Sequence, residues 1–113
     1  MNTRPTLDEF EAQKETVFQA TWDTADPLDL KLVAIRLLHT APHNIQFAVE
    51  FLGEPTRALA QGTQLVRHPV MGDMDIFMTP IKKTNDGFIY EAIFNYMLDQ
   101  EQVSNGSSET SKQ

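Results

Sequence analysis

The chain has 113 residues, a formal net charge of −7 at pH 7 and no cysteine. Its length suits one domain with one modest core, and the missing thiol excludes disulfides and cysteine-ligated metals. The nine Lys and Arg residues are scattered, which argues against partners such as nucleic acid or an anionic membrane. Because no signal-peptide core or membrane-spanning stretch is visible, the sequence predicts a cytoplasmic protein.

A short helix is predicted near the N-terminus. Thr6-Leu7-Asp8-Glu9 matches a capping box, in which the N-cap hydroxyl and the N3 carboxylate each bond the other residue's backbone. Leu7 and Phe10 share one helix face, and β-branched and aromatic residues follow Lys14. We therefore expect a helix that stops near Lys14 and packs Leu7 and Phe10 on the domain, plugging one end of a barrel.

After Lys14 the apolar residues alternate with a period of two, which is typical of strands. Turn-forming residues recur about every ten positions, as in small antiparallel sandwiches and barrels. The sequence predicts an all-β fold of about six antiparallel strands in a small barrel or sandwich, with a short N-terminal helix. The predicted strands cover residues 16–22, 28–38, 45–51, 63–67, 73–81 and 88–96.

Three places depart from simple alternation. Residues 28–38 carry apolar side chains on both faces with a changeover near Val33, which indicates a bent strand with a bulge; a helix is the competing interpretation. Pro80 indicates an edge or a bulge, because proline cannot donate to a ladder. The Asn85-Asp86-Gly87 run predicts a hairpin turn, and a helical turn is expected at Thr56–Ala60.

The composition changes near the C-terminus. From Asp99 onward almost no apolar residue remains, and such a segment cannot bury enough surface to order itself. We therefore divide the chain into a single mostly-β domain, residues 1–98, and a disordered polar tail, residues 99–113.

The histidines do not form a metal-binding pattern. His39 and His43 flank Pro42, which disfavours the helix that would place both on one face, so we interpret them as exposed loop residues. His68 precedes Pro69, is restricted to extended conformations and is expected to orient a turn.

The carboxylates give only weak signals. Asp73 and Asp75, with Glu91 of the last strand, are interpreted as solvated surface rather than an acid–base pair. Asp23, Asp26 and Asp29 lack the glycine and final glutamate of a calcium loop. All serines lie at position 104 or later. We therefore predict no catalytic residues, no metal, no cofactor and no enzymatic activity.

The apolar residues suggest a surface. Phe77 and Thr79 fall on the outward side of their strand, and Ile89 and Ile93 fall opposite the aromatic side of the last strand. An apolar patch on the outside of a small domain marks a possible partner surface. The alternative is that the N-terminal helix or the long loop covers it.

Several short motifs together resemble a known family. They are Leu7-x-x-Phe10, Gln61-Gly62-Thr63, His68-Pro69-x-x-Gly72, Phe77-x-x-Pro80-Ile81 and Tyr90-Glu91-Ala92-x-Phe94-Asn95. The set, which spans residues 6–96, resembles a family of small bacterial proteins of unknown function often encoded beside phage-tail-collar-type fibre proteins. The resemblance implies a structural component, adaptor or assembly partner of a tail-like fibre, and it supplies no catalytic residues.

The expected function is therefore a non-catalytic structural or interaction module whose partner is another protein or a second copy. Such a module could become part of a fibre or particle. The alternative is a small-molecule-binding β-barrel with an interior lined by Phe18, Trp22, Phe47, Phe51 and Tyr90.

Overall fold

The computed structural model describes residues 5–21 and 26–97. Its helix is α1 (Leu7–Ala12), and its strands are β1 (Val17–Ala20), β2 (Leu28–Ala41), β3 (Asn44–Leu52), β4 (Gly62–His68), β5 (Gly72–Thr84) and β6 (Gly87–Met97). All neighbouring strands are antiparallel, and the sheet closes in the order β1-β2-β3-β6-β5-β4. The predicted all-β fold is confirmed, as a closed barrel. No described helix is long and apolar enough to cross a bilayer. Trp22 and the predicted tail, residues 99–113, lie outside the described residues.

The start of α1 is the predicted capping box. The Thr6 hydroxyl accepts a hydrogen bond from the Glu9 backbone N–H at 3.1 Å, and the Glu9 carboxylate accepts one from the Thr6 N–H at 2.8 Å. The helix ends at Ala12, two residues earlier than expected. Six residues are too few for a stable isolated helix, so packing must hold α1 in place.

Phe10 supplies that packing. Its side chain is fully buried, and its ring centroid lies 6.2 Å from that of Phe18, 6.1 Å from that of Phe47 and 5.3 Å from that of Phe94. These distances fall in the range of favourable aromatic pairs. Phe10 therefore anchors the helix in the barrel core, and Leu7 packs against the same core while partly buried, as the sequence predicted.

The changeover in β2 is a bulge. The β2–β3 register shifts between Leu32 and Ala34, so Val33 is the extra residue. Leu28, Leu30 and Leu32 are fully buried before it. After it, Ile35 lies opposite the buried Val49 and packs on the core. Because of the bulge, the even-numbered Leu28, Leu30 and Leu32 and the odd-numbered Ile35 all face the inner side of the barrel. Residues 28–41 form a strand, so the competing helix interpretation is wrong.

Two further local predictions are confirmed and one is wrong. The β5–β6 register shifts between Pro80 and Lys82, and the β5–β6 hairpin turns between Thr84 and Gly87. Thr56–Ala60 forms no helical turn. There the Leu59 N–H donates to the Tyr90 hydroxyl at 2.8 Å, so the loop backbone bonds to the core rather than forming the hydrogen bonds of a helical turn.

Arg57 fixes the same loop from outside. Its guanidinium donates to the backbone carbonyls of Asp26 and Pro27 at 3.2 and 3.1 Å and to the Glu54 carboxylate at 2.9 Å. This ion pair with Arg57 and a hydrogen bond from Thr56 lower the pKa of Glu54. The loop between β3 and β4 is therefore tied to the start of β2.

Candidate functional site

We define the outer patch as Phe77, Thr79, Ile89 and Ile93, the four residues predicted to face outward. Phe77 and Ile93 are 55% and 54% exposed, while Thr79 and Ile89 are half-buried. The residues on either side of Phe77 in β5 are buried in the core; they are Ile76 and Met78. Alternation therefore forces Phe77 to the outside. Neither α1 nor the β3–β4 loop covers Phe77 or Ile93.

The ladders show how the patch is arranged. Thr79 lies opposite Glu91, and Ile89 and Ile93 are the residues two positions before and after Glu91 on the same face. Phe77 lies two residues before Thr79 and pairs with Thr63 of β4. The structure thus groups Thr79, Ile89 and Ile93 around Glu91, with Phe77 extending the patch along β5.

A charged cluster extends from β2 and β3 into the outer patch. Glu91 of β6 lies directly opposite Glu50 of β3, and Arg36 of β2 bridges them, with Nη2 2.6 Å from Glu91 and 3.3 Å from Glu50. Opposed like charges destabilise a sheet, so the arginine compensates for them. Glu91 therefore places a paired charge between Ile89 and Ile93, while Arg36 and Glu50 form a polar rim on the β2–β3 side, as at many protein interfaces.

Ile81 is an exposed apolar residue beside the patch that was not predicted to be part of this surface. It is the extra residue of the β5 bulge, between Pro80 and Lys82. The signal that could have found it is Pro80, because a bulge re-aims the neighbouring side chain. On the next strand, Ile89 pairs with Lys82, so basic and apolar side chains alternate at this end of the patch.

His68 orients the β4–β5 turn, as expected. Its ring is buried, and Nδ1 accepts hydrogen bonds from the backbone N–H groups of Val70 and Met71 at 3.1 and 3.2 Å. Nδ1 is therefore unprotonated, so Nε2 carries the proton and donates to the Thr16 hydroxyl at 2.9 Å. Burial lowers the pKa of His68. Its ring nitrogens are both used in structure.

The other histidines and carboxylates do not converge. His43 lies in the β2–β3 turn, but His39 lies in β2, not in a loop, because the strand runs three residues further than predicted. Asp75 pairs with Leu65, far from the ladder position of Glu91. No group of three or more His, Asp or Glu residues able to hold a metal occurs within residues 5–21 and 26–97.

An open groove of about 570 Å³ lies on the outside of β1. In it Gln19 donates to the Asp29 carboxylate at 3.0 Å, and Arg67 lies 3.7 Å from Asp73. Gln19, Asp29 and Arg67 therefore each already have a polar partner. Residues lining the groove include Val17, Gln19, Asp29, Arg67, His68 and Pro69.

The barrel interior is filled by aromatic and aliphatic side chains. Phe18, Phe47, Phe51 and Tyr90 are fully buried, and the Phe18 and Phe51 rings meet edge to face at 5.3 Å. Two of the described buried side chains are polar: His68, and Gln64 of β4, which is 8% exposed and whose Oε1 has no hydrogen-bond partner in the described part of the chain. Sequence reasoning missed Gln64.

Comparison with known families identifies the family to which the chain belongs. No curated protein and no solved structure gives a significant match. Residues 5–94, well over half of the chain, match the model of a domain of unknown function, DUF6916. This range contains α1, β1 to β5 and all but the last three residues of β6, and it includes the whole outer patch. The chain belongs to the DUF6916 family of domains of unknown function.

Proposed function

We propose that this protein is a non-catalytic interaction module that binds another protein through the outer patch. The observation that carries the proposal is the exposure of Phe77 and Ile93, each more than half accessible. Exposed large apolar side chains grouped on one face, with a polar rim, are the usual mark of a protein-binding surface.

The partner we propose is a tail-collar-type fibre protein, for which the chain would act as an adaptor, component or assembly partner. The support for this partner is the family resemblance carried by the motifs, several of which lie in β5 and β6, where the outer patch is. The protein would then act in the cytoplasm before or during its incorporation into a fibre or particle.

The test is co-purification with the tail-collar-type fibre protein encoded in the same genome. Phe77→Lys and Ile93→Lys place charges on the two most exposed apolar residues of the patch and are expected to abolish co-purification. Val70→Lys is the matched control, because Val70 is strongly exposed but lies in the β4–β5 turn. Absence of binding by the unaltered chain, or binding unaffected by both patch variants, would overturn the proposal.

One observation favours the alternative of a small-molecule-binding barrel: the buried, unpartnered Oε1 of Gln64. A buried acceptor without a donor costs free energy, and a ligand carrying an N–H or O–H group would remove that cost. Native mass spectrometry of the purified chain tests this alternative. A bound small molecule that is lost in Gln64→Leu supports it, and a ligand-free spectrum refutes it.

A further inference from the structure

Among the described residues, the edge of β2 that faces away from β3 is unpaired along most of its length. On that side β1 pairs with β2 from Leu28 to Lys31. The last bonds are at Leu32, whose N–H donates to Thr16 at 3.0 Å and whose carbonyl accepts from Glu15 at 2.8 Å. Glu15 adopts a left-handed conformation with φ of 72°, and the described residues before it make no backbone hydrogen bond to β2. From Val33 to Ala41, β2 pairs only with β3 among the described residues.

This open edge lacks the usual protection against pairing. Natural edge strands carry lysines, prolines or inward charges that prevent another strand from adding to them. Residues 33–41 contain no proline, no lysine and no acidic residue, and their single formal charge is Arg36. Arg36 is already paired with Glu50 and Glu91. Leu37, 55% exposed, and the neighbouring Leu38 are accessible.

The segment is complementary to itself. A second register shift, between Leu37 and His39, makes Leu38 an extra residue. If Leu38 is skipped in both copies, an antiparallel pairing centred on Leu37 joins Leu37 to Leu37, Arg36 to His39, Ile35 to Thr40 and Ala34 to Ala41. In every pair both residues lie on the same face of the sheet, since their β3 partners do. No two formal charges of like sign are opposed.

We propose that β2 of one copy pairs with β2 of a second copy, so that two barrels share one continuous sheet across a twofold axis at Leu37. The occupant is a second copy because the whole open segment matches itself in face and charge, as an isologous interface requires. Strand addition satisfies the backbone groups of the edge, and the central leucines supply apolar contact.

The pairing edge and the outer patch lie on different strands and share only Arg36, which reaches Glu91 from β2. In the ring β2 is separated from β5 by β3 and β6, and the outer patch lies on β5 and β6. The dimer and the proposed function can therefore fail separately. Charge substitutions in the patch are expected to leave the dimer intact, and substitutions at the β2 edge are expected to leave the isolated barrel folded.

The experiment is sedimentation velocity of the full chain over concentrations reaching the millimolar range. The expected species at high concentration has twice the 12.8 kDa mass of the chain. Leu37→Lys would place two lysines opposite each other at the twofold axis. His39→Lys would place a lysine opposite Arg36 in both of the symmetry-related pairs. Each variant is expected to weaken the dimer about tenfold or more, while His39→Glu, which offers Arg36 an opposite charge, retains it.

Ile93→Lys is the matched control on the outer patch, and far-ultraviolet circular dichroism checks that each variant is folded. Hydrogen exchange gives a second readout, because amides of residues 33–41 are expected to exchange more slowly as concentration rises. A chain that stays monomeric at all concentrations overturns the proposal. So does a dimer that survives both Leu37→Lys and His39→Lys, or one that only Ile93→Lys dissociates.

Discussion

The hydroxyl of Tyr90 accepts a hydrogen bond of 2.8 Å from the backbone N–H of Leu59, and both residues are buried. This bond joins β6 to the β3–β4 loop. Tyr90→Phe keeps the ring but leaves the Leu59 N–H without an acceptor, which costs about 1–3 kcal/mol. Urea denaturation is expected to show that loss of stability. Hydrogen exchange should show faster exchange at Leu59, and an unchanged rate there would contradict the assigned bond.

His68 should make stability depend on pH. Its pKa is lowered in the folded protein by burial, so the unfolded chain takes up a proton first, at about pH 6.5. Stability is therefore complete above that pH and falls as the pH decreases through the unfolded-state value toward the lower folded-state value. Protonation of Nδ1 would also remove the acceptor for Val70 and Met71.

The pH measurement has a matched pair of variants. His68→Asn keeps an acceptor close to the position of Nδ1 but does not titrate, so urea denaturation between pH 7 and pH 5 should show a weaker pH dependence. His43→Asn alters an exposed turn residue and should retain the dependence of the unaltered chain. Equal slopes in His68→Asn and the unaltered chain would refute the assignment.

Removing the Arg36 side chain should leave the repulsion between Glu50 and Glu91 uncompensated. Arg36→Met leaves Glu50 and Glu91 directly opposed on β3 and β6, and we expect a loss of about 1 kcal/mol at low salt. Because salt screens partly exposed charges, the loss should shrink at high salt. Adding Glu50→Gln should restore most of the stability. A loss that is independent of salt and of Glu50 would show that packing, not charge, is responsible.

Two glycines with positive φ should respond very differently to alanine. A Cβ at Gly87, φ 149°, would lie 1.7 Å from the Gly53 carbonyl oxygen, whereas a Cβ at Gly72, φ 82°, meets nothing within 4 Å. Gly72→Ala is expected to cost only backbone strain, about 1 kcal/mol. Gly87→Ala should cost several times more or prevent folding, as thermal denaturation would show. Similar melting temperatures would contradict the close approach.

The strand pattern could be predicted because alternation reports directly on burial. Ile76 and Met78 are buried and Phe77 is exposed, as the period of two requires. In β2 the changeover near Val33 predicted a bulge, but the sequence could not show that the bulge brings Ile35 to the inner side beside the core. That outcome depends on the register with β3, a non-local pairing.

Other features could not be predicted because they depend on contacts between distant segments. Thr56–Ala60 has local helical preference, but bonds from Arg57 to Asp26 and Pro27 and from Leu59 to Tyr90 hold it irregular. The open edge of β2 is likewise invisible in the sequence, since it results from where β1 stops pairing. The outward positions of the outer patch were predicted, whereas the Arg36 cluster beside it required the strand order.

The most direct test of the proposed function is site-specific photocrosslinking. A photoreactive phenylalanine analogue replaces Phe77 in one variant and Val70 in another, and each variant is co-expressed with the tail-collar-type fibre protein and irradiated. If the outer patch binds the fibre protein, position 77 should crosslink to it and position 70 should not. No crosslink from position 77, or equal crosslinks from both positions, would contradict the proposed function.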